Sequence, residues 1–272
     1  MRLVYASDLH GNKDHYIQLR KYVQKMNVEA LILGGDYFKY TINPNEQFVF
    51  MEVFFIPFIH SLSIPVYLIA GNVDLSNVYE QLKISLHNLE VYFLERHPCY
   101  IDESISIHGL PYTPPSPFKL KNFERRDLRF DDVKIDSNAF ILNNKNAPNT
   151  ISEDYLNQLP SIEEEIQGFF GLNAIWVIHT PPYGGVLDVI HNGRFVGSKA
   201  VRNKIIKEQP LLTLHGHIHE SPHLSGQWIE RIGKTVSVNP GQGQELHAVI
   251  IDINAQKKTI ALEHTLFGKY QM

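Results

Sequence analysis

The chain has almost no sulfur chemistry available to it. Its only cysteine is Cys99, so no intramolecular disulfide can form. A thiolate metal cluster is excluded for the same reason, and any metal bound here takes oxygen and nitrogen ligands. Cys99 itself reads as a small buried apolar residue. Basic residues are not in excess: 25 Lys and Arg against 29 Asp and Glu leave a formal net charge of −4. That balance argues against long nucleic acid as a partner, a local patch aside. Long apolar runs are also missing. The most apolar stretch, Phe48 to Ile59, is broken by Glu52 and Pro57 and is too short to span a bilayer. The first residues, Met1 to Asp8, turn polar too early for a signal peptide. The expectation is a cytoplasmic protein without membrane contact.

What is present suits a folded α/β protein. At 43% hydrophobic and 20% charged, the composition excludes wholesale disorder, and 272 residues can bury a sizeable core. A strand at about 2–7 precedes a helical pattern over 13–26, in which Tyr16, Leu19, Val23 and Met26 recur at helical spacing. A strand at about 30–34, an apolar helix over 46–63 and a strand over 65–70 follow, and this alternation implies right-handed βαβ units. Further strands are expected at 89–95 and 104–108, a helix with an acidic face (Glu163, Glu164, Glu165) over 152–168, and a helix over 198–208 capped by Ser198. The tail from Gln227 to Phe267 is strand-rich. Mixed α/β followed by β suggests two sheets packed face to face with helices outside. We expect one domain over 1–272, with an insertion at about 111–150. The insertion opens on Pro111, Pro114, Pro115 and Pro117. It mixes Lys119, Lys121, Arg125, Arg126 and Arg129 with Phe118, Phe123 and Phe130, and closes on Asn143 to Asn149. That mix fits a site for an anionic substrate, a solvated loop or a subunit contact in a homodimer.

Five strand-like runs end in Asp, Asn or His. Asp8-Leu9-His10 follows the first, Asp36 the second and Asn72 the third; His179 follows Ile175–Ile178, and His217 and His219 follow Leu211–Leu214. Ligands of α/β proteins gather beyond the carboxyl ends of strands, so this pattern points to a metal-centred site. Asp8 with His10, and His217 with His219, are two apart, so each pair can aim at one point. Gly216, Gly34-Gly35 and Gly71 would let backbone approach closely. The ligand set suits manganese, iron, zinc, nickel or magnesium, with manganese preferred. Seven ligands are too many for one catalytic ion with open positions. Two divalent ions sharing a carboxylate fit the number, and such a pair clamps a phosphorus centre for attack by metal-bound hydroxide.

Together these motifs resemble the calcineurin-like metallophosphoesterases. The family's D-x-H, G-D, G-N-H-[DE], strand-end histidine and G-H-x-H appear in order as Asp8-Leu9-His10, Gly35-Asp36, Gly71-Asn72-Val73-Asp74, His179 and Gly216-His217-Ile218-His219. Asn239-Pro240-Gly241 is similar to the family's N-P-G turn. The Pro181–Gly185, Gly197-Ser198 and His215–Ser221 stretches look most like the small Icc-related branch. The resemblance implies a four-layer αββα sandwich of two mixed sheets. It also implies Asp8, His10 and His219 on one ion, Asn72, His179 and His217 on the other, and Asp36 bridging. Asn72 would also touch the substrate phosphate, and Asp74 would orient its neighbours.

One position departs from the pattern. Val73 stands where the family carries a histidine that commonly serves as an acid or contacts phosphate. General acids typically contribute about 10²–10⁴-fold in rate. Phosphodiesters, cyclic nucleotides included, are therefore favoured over phosphomonoesters of simple alcohols. His108, His191 or the insertion are candidate replacements for the acid. Taken singly, Asp8 can be a helix cap, Asp36 a turn residue and His179 a structural imidazole. His215 reads as structure. His15, His60, His87, His97, His223, His247 and His264 have no motif support. Asp188 and His191 fall over the expected site mouth as candidate substrate contacts. A protein-interaction scaffold that binds metal, or a nuclease, are the alternatives to a small-phosphoester hydrolase.

Overall fold

The computed structural model describes residues 1–95, 97–142, 148–254 and 259–271. The first half is β1 (Arg2–Ala6), α1 (Lys13–Lys25), β2 (Ala30–Leu33), α2 (Pro44–Phe50), α3 (Ile56–His60), β3 (Val66–Leu68), α4 (Ser76–Ser85) and β4 (Val91–Phe93). Then come β5 (Cys99–Tyr100), β6 (Ser106–Leu110), β7 (Phe140–Leu142), β8 (Pro148–Thr150), α5 (Ile162–Glu165) and β9 (Ala174–Ile178). The chain continues through α6 (Lys199–Glu208), β10 (Leu212–Leu214), α7 (Ser221–Ser225), β11 (Ile229–Ile232) and β12 (Thr235–Val238). It closes with β13 (Val249–Asn254), β14 (Thr259–His264) and β15 (Gly268–Gln271). No helix among the described residues is long and apolar enough to cross a membrane.

Two mixed sheets result. One has the order β15-β14-β13-β1-β2-β3-β4 and the other β11-β12-β10-β9-β6-β5. In each, four neighbouring strands run parallel: β1 to β4 in the first, and β12, β10, β9 and β6 in the second. Period-two alternation sorts the core into layers. From β1, Leu3 and Tyr5 face the space between the sheets, where they join Ile175, Val177, Leu212 and Leu214. Val4 and Ala6 face the other way, onto Tyr16, Leu19 and Phe55. From β9, Trp176 and Ile178 point outward onto Val201 and Ile205 of α6. The architecture is therefore the expected αββα sandwich.

Several elements differ from expectation. The helix expected over 46–63 is interrupted by a π-helical segment, Met51–Phe55, where the Ile56 N–H reaches back to the Met51 carbonyl. Pro57 has no N–H to donate, and the wider turn just before it absorbs the register change. The helix expected over 152–168 is broken at Pro160 into a 3₁₀ turn at Tyr155–Gln158 and the one-turn α5. Ser161 and Glu164 restart the helix as a capping box, which uses one of the residues of the expected acidic face. Cys99 is not buried: it sits half-exposed on the edge strand β5.

The 111–150 segment does more than lie beside the core. Leu120, Phe140 and Leu142 enter the core beneath α4, while Asn143–Ala147 lie outside the described residues. Three of its six described cations, Lys121, Arg125 and Arg126, turn inward or bind backbone carbonyls. Arg125 stacks on Tyr112 at 4.0 Å, and Arg126 donates to the carbonyls of Leu156, Asn157 and Leu159. Lys121 is buried against Glu124. Arg129 and Lys134 are exposed but pair with Glu164 and Asp154, so among the described residues this segment builds little of the cationic groove that a nuclease would need.

Candidate metal centre

All the candidate ligands lie just past the carboxyl ends of parallel strands, at one end of both sheets. Their backbone is unusual. Among the described residues, six non-glycine positions adopt positive φ, and four of them are Asp8, His10, Asp36 and His217. Left-handed backbone at such residues is disfavoured and collects at functional sites. Glycines permit the close approach. A Cβ on Gly71 would lie 2.2 Å from Asp36 Oδ1, and one on Gly216 would lie 2.4 Å from Asp8 Oδ2.

The side chains converge in two groups that share one carboxylate. Ligand atoms of Asp8, His10, Asp36 and His219 lie within 4.8 Å of one another, as do those of Asp36, His179 and His217. His10 Nε2 is 3.0 Å from His219 Nε2, which is 3.2 Å from Asp8 Oδ1. His179 Nε2 is 3.4 Å from Asp36 Oδ2 and 3.2 Å from Asn72 Oδ1. Asp74 stands behind this layer. Its carboxylate accepts the N–H groups of Asp36, Tyr37, Phe38 and Gly71, tying the β2 and β3 loops together.

The electrostatics call for cations. Asp8, Asp36 and Asp74 are all buried, and the ion-pair partners of Asp8 and Asp36 among the described residues are histidines alone. Buried charges persist only when paired or bound to metal. Burial works against ionisation of Asp8 and Asp36, but the neighbouring histidines, His219 for Asp8 and His179 for Asp36, hold both carboxyls below their usual range. Burial alone would depress the His179 imidazole, yet the Asp36 carboxylate carries it up to about 9. Burial, reinforced by the charge on His179, pushes His217 down to about 3. Carboxylates kept anionic beside a histidine kept neutral form a donor set that fits hard or borderline divalent ions.

The centre opens into a cavity of about 710 Å³. Its floor includes His10, Asp36, Asn72, Val73, His217 and His219. One wall is Tyr40 with Pro114 to Phe118, and the other runs from Ile190 to Val196 and includes His191 and Arg194.

A family model described as calcineurin-like phosphoesterase matches residues 1–221. The chain belongs to that family. It is accordingly a hydrolase acting on phosphoric esters, in a family that normally binds two divalent metals. Similar solved structures include TT1561 of Thermus thermophilus, at 14% identity over 98% of each chain with a TM-score of 0.59. A dimetal phosphatase from Danio rerio matches at 9% identity, covering 100% of this chain and 98% of that one, with a TM-score of 0.61. GAP50, the anchor in the inner membrane complex of Plasmodium, matches at 9% identity over 100% of this chain and 87% of that one, with a TM-score of 0.53. At these identities the likeness is one of fold. A search of curated proteins returns no match.

The structure brings Asp8, His10, Asp36, Asn72, His179, His217 and His219 to one centre of the phosphoesterase, with Asp74 behind it and His191 on its wall. It does not bring His108 or Asp188 there. His108 lies against Phe169 and Phe170, with Ser106 Oγ 3.3 Å from its Nε2, away from the cavity. Asp188 is fully buried and accepts the N–H groups of Gly184, Gly185 and Gly197, so it pins the loop that carries the far wall. His215 is structural: Nδ1 faces the Ile178 and Thr180 carbonyls, and Nε2 lies 2.8 Å from Thr213 Oγ1. Sequence reasoning missed Arg194 and Tyr40 as cavity walls, and it allowed the segment that carries Pro114 to Phe118 a site role only beside a solvated loop or a subunit contact. Asn192-Gly193 before Arg194 was the one local signal, a turn that presents the next side chain.

Proposed function

We propose that this phosphoesterase hydrolyses small phosphodiesters with two divalent ions, manganese preferred. Asp8, His10 and His219 would hold one ion, Asn72, His179 and His217 the other, and Asp36 would bridge them. The carrying observation is that two ligand groups share Asp36 and open together into one cavity. When bound, such a pair of ions activates water and neutralises phosphoryl charge.

The chain's own residues do the rest. Asn72, nearly buried on the floor, would hold a phosphate oxygen through its amide N–H while its Oδ1 faces His179. Arg194 and His191 supply donors from the wall, which suits an anionic ester. Asp74 locks the backbone of both ligand loops. The diester preference rests on Val73, an apolar side chain on the cavity floor where the family carries a proton donor. Diesters with stable leaving groups depend less on that proton. The scaffold alternative loses ground because none of the expected ligands is missing or turned away.

The deciding experiment is hydrolysis of bis-(p-nitrophenyl) phosphate by metal-stripped protein titrated with manganese, with Asp36→Asn as control. Turnover that appears with manganese and vanishes in the control is expected. Two bound ions without turnover would replace the diesterase reading with a binding role.

A further inference from the structure

The cavity wall contains a feature that metal binding does not account for. Phe118 and Tyr40 are both substantially exposed, at 48% and 39%, and their rings meet at 5.7 Å at the cavity wall. An exposed ring is ordinarily free to move. This one is anchored from beneath by a buried ion pair. Lys121 Nζ lies 2.7 Å from Glu124 Oε2, and both side chains are almost wholly buried. The pair takes up every backbone and side-chain polar group of Ser116. Glu124 accepts the Ser116 N–H at 2.9 Å and also its hydroxyl, and Lys121 donates to the Ser116 carbonyl at 2.7 Å. Lys121 also donates to the Phe118 carbonyl. Prolines 114, 115 and 117 stiffen the same five residues.

Burying an ion pair is a poor way to add stability, because desolvation offsets the attraction. Here its bonds run to the strip of backbone that lines the cavity. Aromatic and proline faces held still beside a phosphate site select a flat, apolar ester group by stacking. Ile190 and Val196 face the cavity from the other wall, which continues the apolar lining.

We propose that Tyr40 and Phe118 form a subsite for an aromatic ester group of the substrate, and that Lys121 and Glu124 are the positioning residues that hold its wall. This rests on the phosphoester reading but not on the diester preference. The substrate class is a phosphoester bearing an aromatic substituent next to the reacting phosphate.

The test is a calorimetric titration of the manganese-loaded protein with phenylphosphonate and with methylphosphonate, at a pH where both are dianions. The two ligands share the anion and differ only in the substituent. The expected result is phenylphosphonate binding on the order of tenfold more tightly, the factor that burial of one ring face contributes. Phe118→Ala, at an exposed position, should abolish that preference and leave methylphosphonate affinity unchanged. The double variant Lys121→Met/Glu124→Gln, of similar volume, should narrow the preference while methylphosphonate still binds. Equal affinities in the parent protein, no binding of either ligand, or a preference that survives Phe118→Ala would overturn the subsite. A folded double variant with the full preference would overturn the positioning role. No step of this test needs turnover, so a failed diesterase assay stays a separate result.

Discussion

His179 Nδ1 lies 2.7 Å from the carbonyl oxygen of Gly34. That contact places a proton on Nδ1, so once Nε2 gives up the proton that the Asp36 carboxylate favours there in the absence of metal, its lone pair faces two acceptors, Asp36 Oδ2 and Asn72 Oδ1. Three electron-rich atoms facing one point need a cation between them. Backbone-oriented imidazoles of this kind are how proteins fix the tautomer of a metal ligand. Removing metal with a chelator should therefore lower the melting temperature, and restoring manganese at about 100 times its Kd should raise it by about 5 °C for each ion bound. Elemental analysis of His179→Ala should show one ion per chain where the parent shows two. A melting temperature indifferent to manganese would remove the metal centre from the account.

Val73 offers a gain-of-function prediction. Its N–H is held by Asp36 Oδ1 at 2.9 Å, so the backbone at this position is fixed independently of the side chain. Val73→His should place an imidazole on the cavity floor without disturbing Asp36. Hydrolysis of an alkyl phosphomonoester such as glycerol phosphate should rise at least tenfold, toward the range of about 10²–10⁴ that a well-positioned acid contributes. Turnover of bis-(p-nitrophenyl) phosphate should barely change, since p-nitrophenolate leaves without help. Equal gains on both substrates would show that the missing acid does not set the preference.

Asp74 predicts a stability effect. Burial and the charge on Asp36 raise its carboxyl, while four N–H donors favour the anion. Each oxygen serves two donors: Oδ1 takes Tyr37 and Phe38, and Oδ2 takes Asp36 and Gly71. Asp74→Asn would point an amide N–H₂ at one of those pairs. The loss should be about 3–5 kcal/mol, measured by urea unfolding of the metal-free protein. A loss under about 1 kcal/mol would mean that the two loops do not depend on this carboxylate.

The legible and illegible parts of this molecule differ for a physical reason. Asp8, Asp36, Asn72, His179, His217 and His219 each follow a short apolar run, and parallel strands bring all such ends to one side. Short range and long range thus carry the same message. The Ser198 cap and the α1 face of Tyr16, Leu19 and Val23 were legible in the same way. The helix over 152–168 was not, because its apolar spacing continues across Pro160 while the backbone cannot. The cavity walls were only partly legible, for a different reason. Lys121 reads as a surface cation, and only tertiary burial against Glu124 shows that it holds Phe118 in place. Asp188 looked like a substrate contact because it falls in the loop after His179, over the expected site mouth, yet three backbone N–H groups claim it.

The histidines without motif support carry the last prediction. His264 Nε2 lies 3.0 Å from the Pro240 carbonyl, while Nδ1 accepts the N–H groups of Leu266 at 3.0 Å and Phe267 at 3.2 Å. Both nitrogens are therefore committed in the neutral form, and protonating Nδ1 would break two backbone bonds. Burial pushes this imidazole down to about 4. The unfolded chain, with an ordinary histidine near 6.5, binds the extra proton first. Stability is then fully present above about pH 6.5 and is lost as the pH falls from there toward about 4. The contribution is about 3 kcal/mol, spread over that window. His264→Gln keeps a donor and an acceptor but does not titrate. Its urea midpoint between about pH 7 and 4.5 should fall less steeply than that of the parent, even if its absolute stability is lower. Parallel slopes would show that the acid sensitivity of the fold lies elsewhere, with His247 as the next residue to replace, because its imidazole is also lowered by burial and also faces the Pro240 carbonyl.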